Sequence, residues 1–380
     1  MPSGIMSISH IIRYLSAERI LGKWNQICLK LPLKVTLWEI SLPSTDGCRR
    51  SLDSLHVDLV REGLILPDPV SRTTSVEPNG ALLNSITVDV EDYFHTEAMG
   101  DTISRDQWDR MPTHVERNTE RMFELFAAQG VRGTFFFLGW VAERFPHLVR
   151  QAARLGHELG CHSYWHRLVY RLSPQEFRED TKRAKSVIED ASGMRVLGYR
   201  APSFSLVPGT DWAAEVLADL GFCYDSSVCP INHDLYNNPD APRVPHSIAG
   251  ALLELPVATL SVWGRNFPVG GGGYLRMMPY GYTRWGLSRL NRKEGFRAIV
   301  YTHPWEIDPE QPRLRASRRS RFRQYTGLAT TAGKLKRLLK GFRFAPIAET
   351  FSEELASNSS RSTRTFPRES LTNPISSETV

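Results

Sequence analysis

Four short stretches of this sequence hold side chains whose types and spacing suit acid–base or metal chemistry. The first is Asp89-Val90-Glu91-Asp92, at the end of the apolar run Ser85–Val90. Asp89 and Glu91 are two apart, so both point to one side if the strand continues, and Asp92 joins them if the chain turns there. Neighbouring carboxylates repel one another, and a cation or a shared proton relieves that repulsion. The second stretch is His162-Ser163-Tyr164-Trp165-His166. Histidines four apart face one way on a helical turn and can hold one metal ion together. With a carboxylate from the first stretch they form a ligand set suited to catalytic zinc, with a position left for water. The third and fourth are Arg200-Ala201-Pro202 and Thr302-His303-Pro304-Trp305. Taken singly, Arg200 reads as a structural ion-pair residue and His303 as a packed core histidine. Pro304 biases His303 towards extended backbone.

All four stretches follow segments with strand character. Short β-rich runs are expected at Ser85–Val90, Gly133–Leu138, His157–Cys161, Arg195–Tyr199, Phe222–Tyr224, Leu252–Leu255 and Phe296–Tyr301. Helical spacing of apolar residues places a helix over Val115–Gln129, stopped by Gly130, and a shorter one over Pro146–Leu155. Ser173-Pro174-Gln175-Glu176 is a capping box with proline at the first helical position, opening a helix to about Ala191. Alternating strands and helices imply β/α units and a mostly parallel sheet, as a barrel or a doubly wound sheet. In barrels of this kind the chemistry lies at the C-terminal strand ends. Gly270–Gly273 is expected to form a tight loop near the site, or a mere turn.

Composition sets the frame. The chain has 380 residues, 41% apolar and 23% charged, which suits a globular protein rather than a disordered one. No apolar run reaches the roughly 18 residues of a spanning helix, and Arg13, Glu18, Arg19 and Lys23 interrupt any signal-peptide core. Five cysteines (Cys28, Cys48, Cys161, Cys223, Cys229) form no C-x-x-C pair, so neither a disulfide framework nor a zinc ribbon is expected. A cytoplasmic protein with reduced thiols is the expectation. The net charge of +6 conceals one window, 311–345, with eight Arg, three Lys and no acid; the rest of the chain is net acidic. No nucleic-acid-binding motif accompanies it, so no nucleic acid partner is expected. The window is either a solvated helical face or a surface that meets anionic lipid or a phosphate-bearing substrate, peripheral to the inner membrane. Residues 1–83 read as a weakly structured or helical extension, and the Ser/Thr-rich residues 356–380 as a disordered tail.

The order of these pieces resembles the NodB-homology polysaccharide deacetylases, carbohydrate esterase family four. That family carries an acidic strand end, H-[ST]-x-x-H, R-x-P and a late histidine at a strand terminus; GHELGCHSYWH (Gly156–His166) is similar to its metal-binding segment throughout. TVDVEDYFH (Thr87–His95), GYRAPSFS (Gly198–Ser205), GGGGYLR (Gly270–Arg276) and YTHPWEIDPEQPR (Tyr301–Arg313) resemble the deacetylases encoded with exosortase-type exopolysaccharide loci, which carry a C-terminal extension. The resemblance implies a distorted (β/α) barrel of mostly parallel strands, with the deacetylase domain at 84–305 and a basic extension, 306–355, packed on it. It also implies a metal-dependent N-deacetylase acting on acetamido sugars of a surface polysaccharide or its lipid-linked precursor. Asp89 maps to the catalytic base, Arg200 to the residue that orients it and His303 to the general acid. His162 and His166 map to metal ligands with Glu91 or Asp92, same-face geometry favouring Glu91. Zn²⁺ is the expected metal, with Co²⁺, Ni²⁺ or Mn²⁺ as alternatives. Pro202, Ser203, Tyr274 and Trp305 are the expected substrate contacts, Ser203 standing where many members have Tyr and supplying a backbone oxyanion donor. Two rivals share the fold: a cyclic-amide (allantoinase-like) hydrolase, and a non-catalytic polysaccharide-binding or assembly protein.

Overall fold

The computed structural model describes residues 82–250 and 252–365. The expected extension before residue 82 lies outside the described residues, as do Cys28, Cys48 and the tail beyond residue 365. The central strand is β1 (Leu83–Val90). Its apolar residues Ile86, Val88 and Val90 share a core cluster with Val115, Met122, Phe123 and Phe126, the buried face of α1 (Val115–Ala127). The alternate residues Thr87 and Asp89 point the other way, to the interior, as a two-residue side-chain period requires. The same alternation splits β2 (Thr134–Phe137): Phe135 and Phe137 join the cluster with the helices, whereas Phe136 joins an inner cluster with Tyr224, Leu253, Ile299 and Tyr301.

The chain continues through α2 (Gly139–Arg144), α3 (Pro146–Arg154), β3 (Glu158–Cys161), α4 (Pro174–Ser192), β4 (Gly198–Tyr199), α5 (Trp212–Asp219) and β5 (Tyr224–Asp225). Helix α4 has the expected capping box, with Glu176 N donating to Ser173 Oγ and Ser173 N to Glu176 Oε2. Next come β6 (His246–Ile248), β7 (Leu252–Glu254), β8 (Thr259–Val262), β9 (Arg265–Pro268), α6 (Gly272–Met277), α7 (Tyr280–Arg289) and β10 (Ile299–Thr302). The last described elements are α8 (Arg318–Tyr325), α9 (Leu328–Gly341), β11 (Arg343–Ala345), α10 (Ile347–Thr350) and α11 (Ser352–Thr365).

The main sheet runs β10-β1-β2-β3-β4-β5-β7-β6, parallel except for the β6–β7 pair, with β11 beside the first half of β1. The ends of this ring meet through irregular backbone: Ala258 N donates to Ile299 O at 3.0 Å and Tyr301 N to Gly270 O at 2.6 Å. The α/β barrel is therefore closed without a regular last strand. Gly271, at φ 124°, makes that closure: a Cβ there would lie 1.8 Å from Tyr301 O.

Several expectations need correction. The strand expected over Arg195–Tyr199 is confined to Gly198–Tyr199, and that over Phe222–Tyr224 moves to Tyr224–Asp225. Segment 306–355 is not only packed on the barrel, because β11 pairs in parallel with β1, Leu83 opposite Arg343. Disorder does not begin at residue 356, since α11 runs to Thr365. Arg297 Nη2 holds Glu354 at 2.8 Å and Leu355 packs on the inner cluster, which ties that helix down despite its polar composition. Cys161, Cys223 and Cys229 are free thiols, as expected.

Candidate functional site

The C-terminal ends of the strands open on a cavity of about 170 Å³ lined by Asp89, Glu91, His162, His166, Ser203 and His303, among others. Asp89 stands on β1, where Arg200 reaches it from the end of β4. Arg200 is fully buried; its Nη1 donates to Asp89 Oδ1 at 3.2 Å and to Thr87 Oγ1 at 2.7 Å. Its Nε and Nη2 donate to Ser226 O and Ser226 Oγ, both at 2.8 Å. A buried guanidinium with four such bonds is a fixed fork, so the Asp89 carboxylate is held in one orientation.

Glu91, His162 and His166 each offer one donor atom, and these atoms lie within 4.8 Å of one another. The expected helical turn is absent. His162 follows β3, and left-handed backbone at Ser163 (φ 59°) and His166 (φ 49°) turns the chain back on itself. Such conformations cost energy in non-glycine residues and persist where the surroundings enforce them. Here Asp180 enforces them, accepting from Tyr164 N at 2.7 Å and Trp165 N at 3.1 Å. His162 Nδ1 is paired with Arg200 O at 2.8 Å, leaving Nε2 for the cavity. Burial lowers the His162 pKa to about 4, so the ring is the neutral imidazole that a metal requires. His166 Nε2 sits 2.8 Å from Glu91 Oε2, while His166 Nδ1 is buried without a hydrogen-bond partner. Burial pushes the Glu91 carboxyl up, but His166 and the other histidines outweigh it and hold it well below the usual carboxylate range. A carboxylate and two imidazoles converging on one point are chemically suited to a divalent transition metal.

Asp92 is not part of that group. Its carboxylate accepts from Tyr93 N, His114 N and Val115 N at 2.8, 2.7 and 3.0 Å, which caps the start of α1. The chain does turn after Glu91, but it turns Asp92 towards the helix. Ser203 lines the cavity, with φ 51° and Phe204 at 53° behind it. Trp305 lines it too, stacked on His303 with ring centroids 5.3 Å apart, and its Nε1 donates to Glu91 Oε1 at 3.0 Å. Pro202 and Tyr274 are not among the lining residues: Pro202 is buried, and Tyr274 packs half-buried against the inner cluster.

His303 Nε2 lies 3.8 Å from both Asp89 Oδ2 and Glu91 Oε1. Its Nδ1 is 3.2 Å from Glu306 Oε2, and Glu306 Oε1 accepts from Arg276 Nε at 2.7 Å. Burial opposes charge on both members of the pair. Even so, Glu306 raises the His303 pKa to about 9, and His303 with Arg276 brings Glu306 down to about 2. Sequence reasoning missed Glu306 and Arg276. Glu306, three residues after His303 behind a proline, carried a readable capping signal; Arg276, thirty positions away, carried none. Thr96, Glu97, Leu235, Arg323 and Gln324 also reach the cavity without a sequence signal.

Residues 107–224 match the family model described as polysaccharide deacetylase. Over that segment the chain is similar to polysaccharide deacetylases. Residues 226–352 match a domain of unknown function. The peptidoglycan-N-acetylglucosamine deacetylase of Bacillus cereus is 31% identical over 90 residues, covering 24% of this chain and 30% of that protein. The peptidoglycan deacetylase of Helicobacter pylori is 28% identical over 108 residues, covering 28% and 36%. The chain thus spans about a third of the length of these relatives. A Mycobacterium smegmatis crystal structure described as a polysaccharide deacetylase is similar over 81% of this chain and 98% of its own, at 22% identity and a TM-score of 0.49. The cavity straddles the two matched segments. His162, His166 and Arg200 come from the deacetylase match, His303 and Glu306 from the second, and Asp89 and Glu91 from neither.

Proposed function

We propose that the protein is a metal-dependent hydrolase that removes N-acetyl groups from amino sugars of a bacterial exopolysaccharide, a cell-surface polysaccharide or its lipid-linked precursor. The observation that carries this reading is the convergence of Asp89 and His303, 3.8 Å apart, on a cavity also lined by Glu91, His162 and His166. Those last three would hold the metal, Zn²⁺ in the first instance. When bound, it supplies Lewis acidity towards a carbonyl oxygen and water.

The chain's own groups account for the proton transfers. Asp89, kept oriented by Arg200, accepts a proton as water adds to the acetamide carbon. The backbone at Ser203 is the proposed donor to the oxyanion. His303, carrying a proton below about pH 9, gives it to the nitrogen as the C–N bond breaks. Acetate and a free amine are the products. Acetate release from a panel of N-acetylated oligosaccharides, paired with metal analysis of the purified protein, tests the reading. Ring opening of a cyclic amide without acetate, or ligand binding with no turnover, would replace it with one of the two rivals.

A cytoplasmic location at the inner membrane completes the proposal. No helix among the described residues is long and apolar enough to cross a membrane. Helix α8 begins with Arg318 and Arg319 and presents Phe322 at 60% exposure, beside Arg323 on the cavity wall. Arg319 and Arg323 pair with Asp234, whereas Arg318 and Arg321 make no ion pair among the described residues. Basic and aromatic groups at the cavity mouth suit an anionic lipid surface, at about 1 kcal/mol per basic residue. Co-sedimentation with anionic but not neutral vesicles, weakening with salt, is the expected result.

A further inference from the structure

Residues 226–352 match a domain of unknown function. We propose that this segment is the acid half of the active site, with Glu306 and Arg276 as positioning residues for His303 and the stretch from Arg323 to Gly327 as the lock that holds them. The inference rests on the deacetylase reading above.

The geometry forms one chain of contacts. Glu306 is fully buried, and its Oε2 accepts from His303 N at 3.0 Å and Thr302 Oγ1 at 3.1 Å while lying 3.2 Å from His303 Nδ1. With Nδ1 facing Glu306, Nε2 is the ring nitrogen left to face the cavity, so it is the atom that can deliver a proton to a leaving amine. A buried carboxylate needs a partner of its own, and Arg276 is that partner. After its Nε bond to Glu306, the Arg276 guanidinium donates to Arg323 O at 2.7 Å, Gln324 O at 3.2 Å and Thr326 O at 2.9 Å. These three carbonyls belong to the end of α8 and the turn that follows it. Gly327 then passes so close that a Cβ would lie 2.3 Å from Arg276 O, and Lys334 Nζ donates to the same oxygen at 2.6 Å. The lock also reaches the opposite wall: Gln324 Nε2 donates to Tyr93 O at 3.1 Å, two residues beyond Glu91. A module merely appended to a finished barrel would not bury a charged pair behind the catalytic acid.

The test is a leaving-group comparison. Glu306→Gln keeps the side-chain shape but removes the charge facing Nδ1, and Arg276→Lys keeps the charge but loses the fork to three carbonyls. Each variant is assayed on an N-acetylated oligosaccharide and on an activated aryl acetate, whose leaving group needs no proton, with metal content measured alongside. The expected result is a loss of roughly 10- to 100-fold in kcat on the acetamide, part of the 10²–10⁴ that a general acid contributes. KM, metal content and aryl acetate turnover should stay within about twofold of the wild type. Equal losses on both substrates, or none on either, with folded metal-loaded protein, would overturn the inference alone. If the wild type releases no acetate from any acetamido sugar, the deacetylase reading fails and this inference goes with it.

Discussion

On one wall of the cavity, Glu91, His162 and His166 stand directly on strand ends and their turns, and the turn between the two histidines is fixed by the Asp180 bonds to Tyr164 and Trp165. On the other wall His303 also ends a strand, but its orientation depends on Glu306, then on Arg276, then on carbonyls some twenty residues beyond Glu306. The histidine turn of the first wall is a local structure that a short motif can specify. The second is a relay of long-range contacts, and no short motif can specify it. A pattern search therefore finds the metal side readily and sees only the histidine of the acid side.

The largest effect should come from breaking the local wall. His162→Ala or His166→Ala removes a proposed ligand, and the purified variant should lose both stoichiometric metal and measurable acetate release, while its circular dichroism stays that of the wild type. Metal retained at full stoichiometry in the double variant would dismantle the proposed triad. Next in size is Asp89→Asn, expected to keep the metal and lose about 10²–10⁴ in kcat. Arg200 would then face a neutral amide, and the binding of substrate should change far less than turnover.

Changes on the relay side should be felt in stability as well as rate. Gly271→Ala places a Cβ against Tyr301 O at a φ that L-residues avoid, and a cost of about 1–3 kcal/mol or more is expected. A denaturant midpoint close to that of the wild type would mean that the closure loop has room to move. The smallest effect is a pH dependence, measured on metal-stripped protein as the Tm difference between wild type and Glu306→Gln. His303, raised from 6.5 to about 9, contributes stability that is complete below 6.5 and lost as pH rises through 9. Glu306, lowered from 4.5 to about 2, contributes stability that is complete above 4.5 and lost as pH falls through 2. The Tm difference should therefore be widest between about pH 4.5 and 6.5 and shrink on both sides.

The same contrast explains what could be read in advance. Alternation along β1 placed Asp89 and Glu91 together, because a strand's period is fixed by covalent geometry. The histidine spacing singled out two rings that do come together, but left-handed turns rather than a helix bring them there. Asp92 stayed an open alternative to Glu91 because nothing in Asp-Val-Glu-Asp reveals that α1 begins more than twenty residues later with its free N–H groups facing that carboxylate. Strands β1 and β2 were legible from their apolar runs, and β3 from its place after the helix that stops at Gly156. Strand β11 was hidden, because Arg343-Phe344-Ala345 is three residues long and is defined by its neighbour rather than by its own composition.

The pairing of β1 also bears on how the protein is made. Ser85 pairs with Ile299 and Leu83 with Arg343, so a strand synthesised early waits for partners more than two hundred residues downstream. During vectorial synthesis only β2 is available to it for most of that interval, and closing so long a loop is slow. The exposed flank of β1 is then an unpaired strand edge, the kind of surface that chaperones shield. His303 and its relay are added only after β10 and α8 have left the ribosome. On the proposed roles, a nascent chain that already carried Glu91, His162 and His166 would still lack the proton donor for a leaving amine until the barrel is complete.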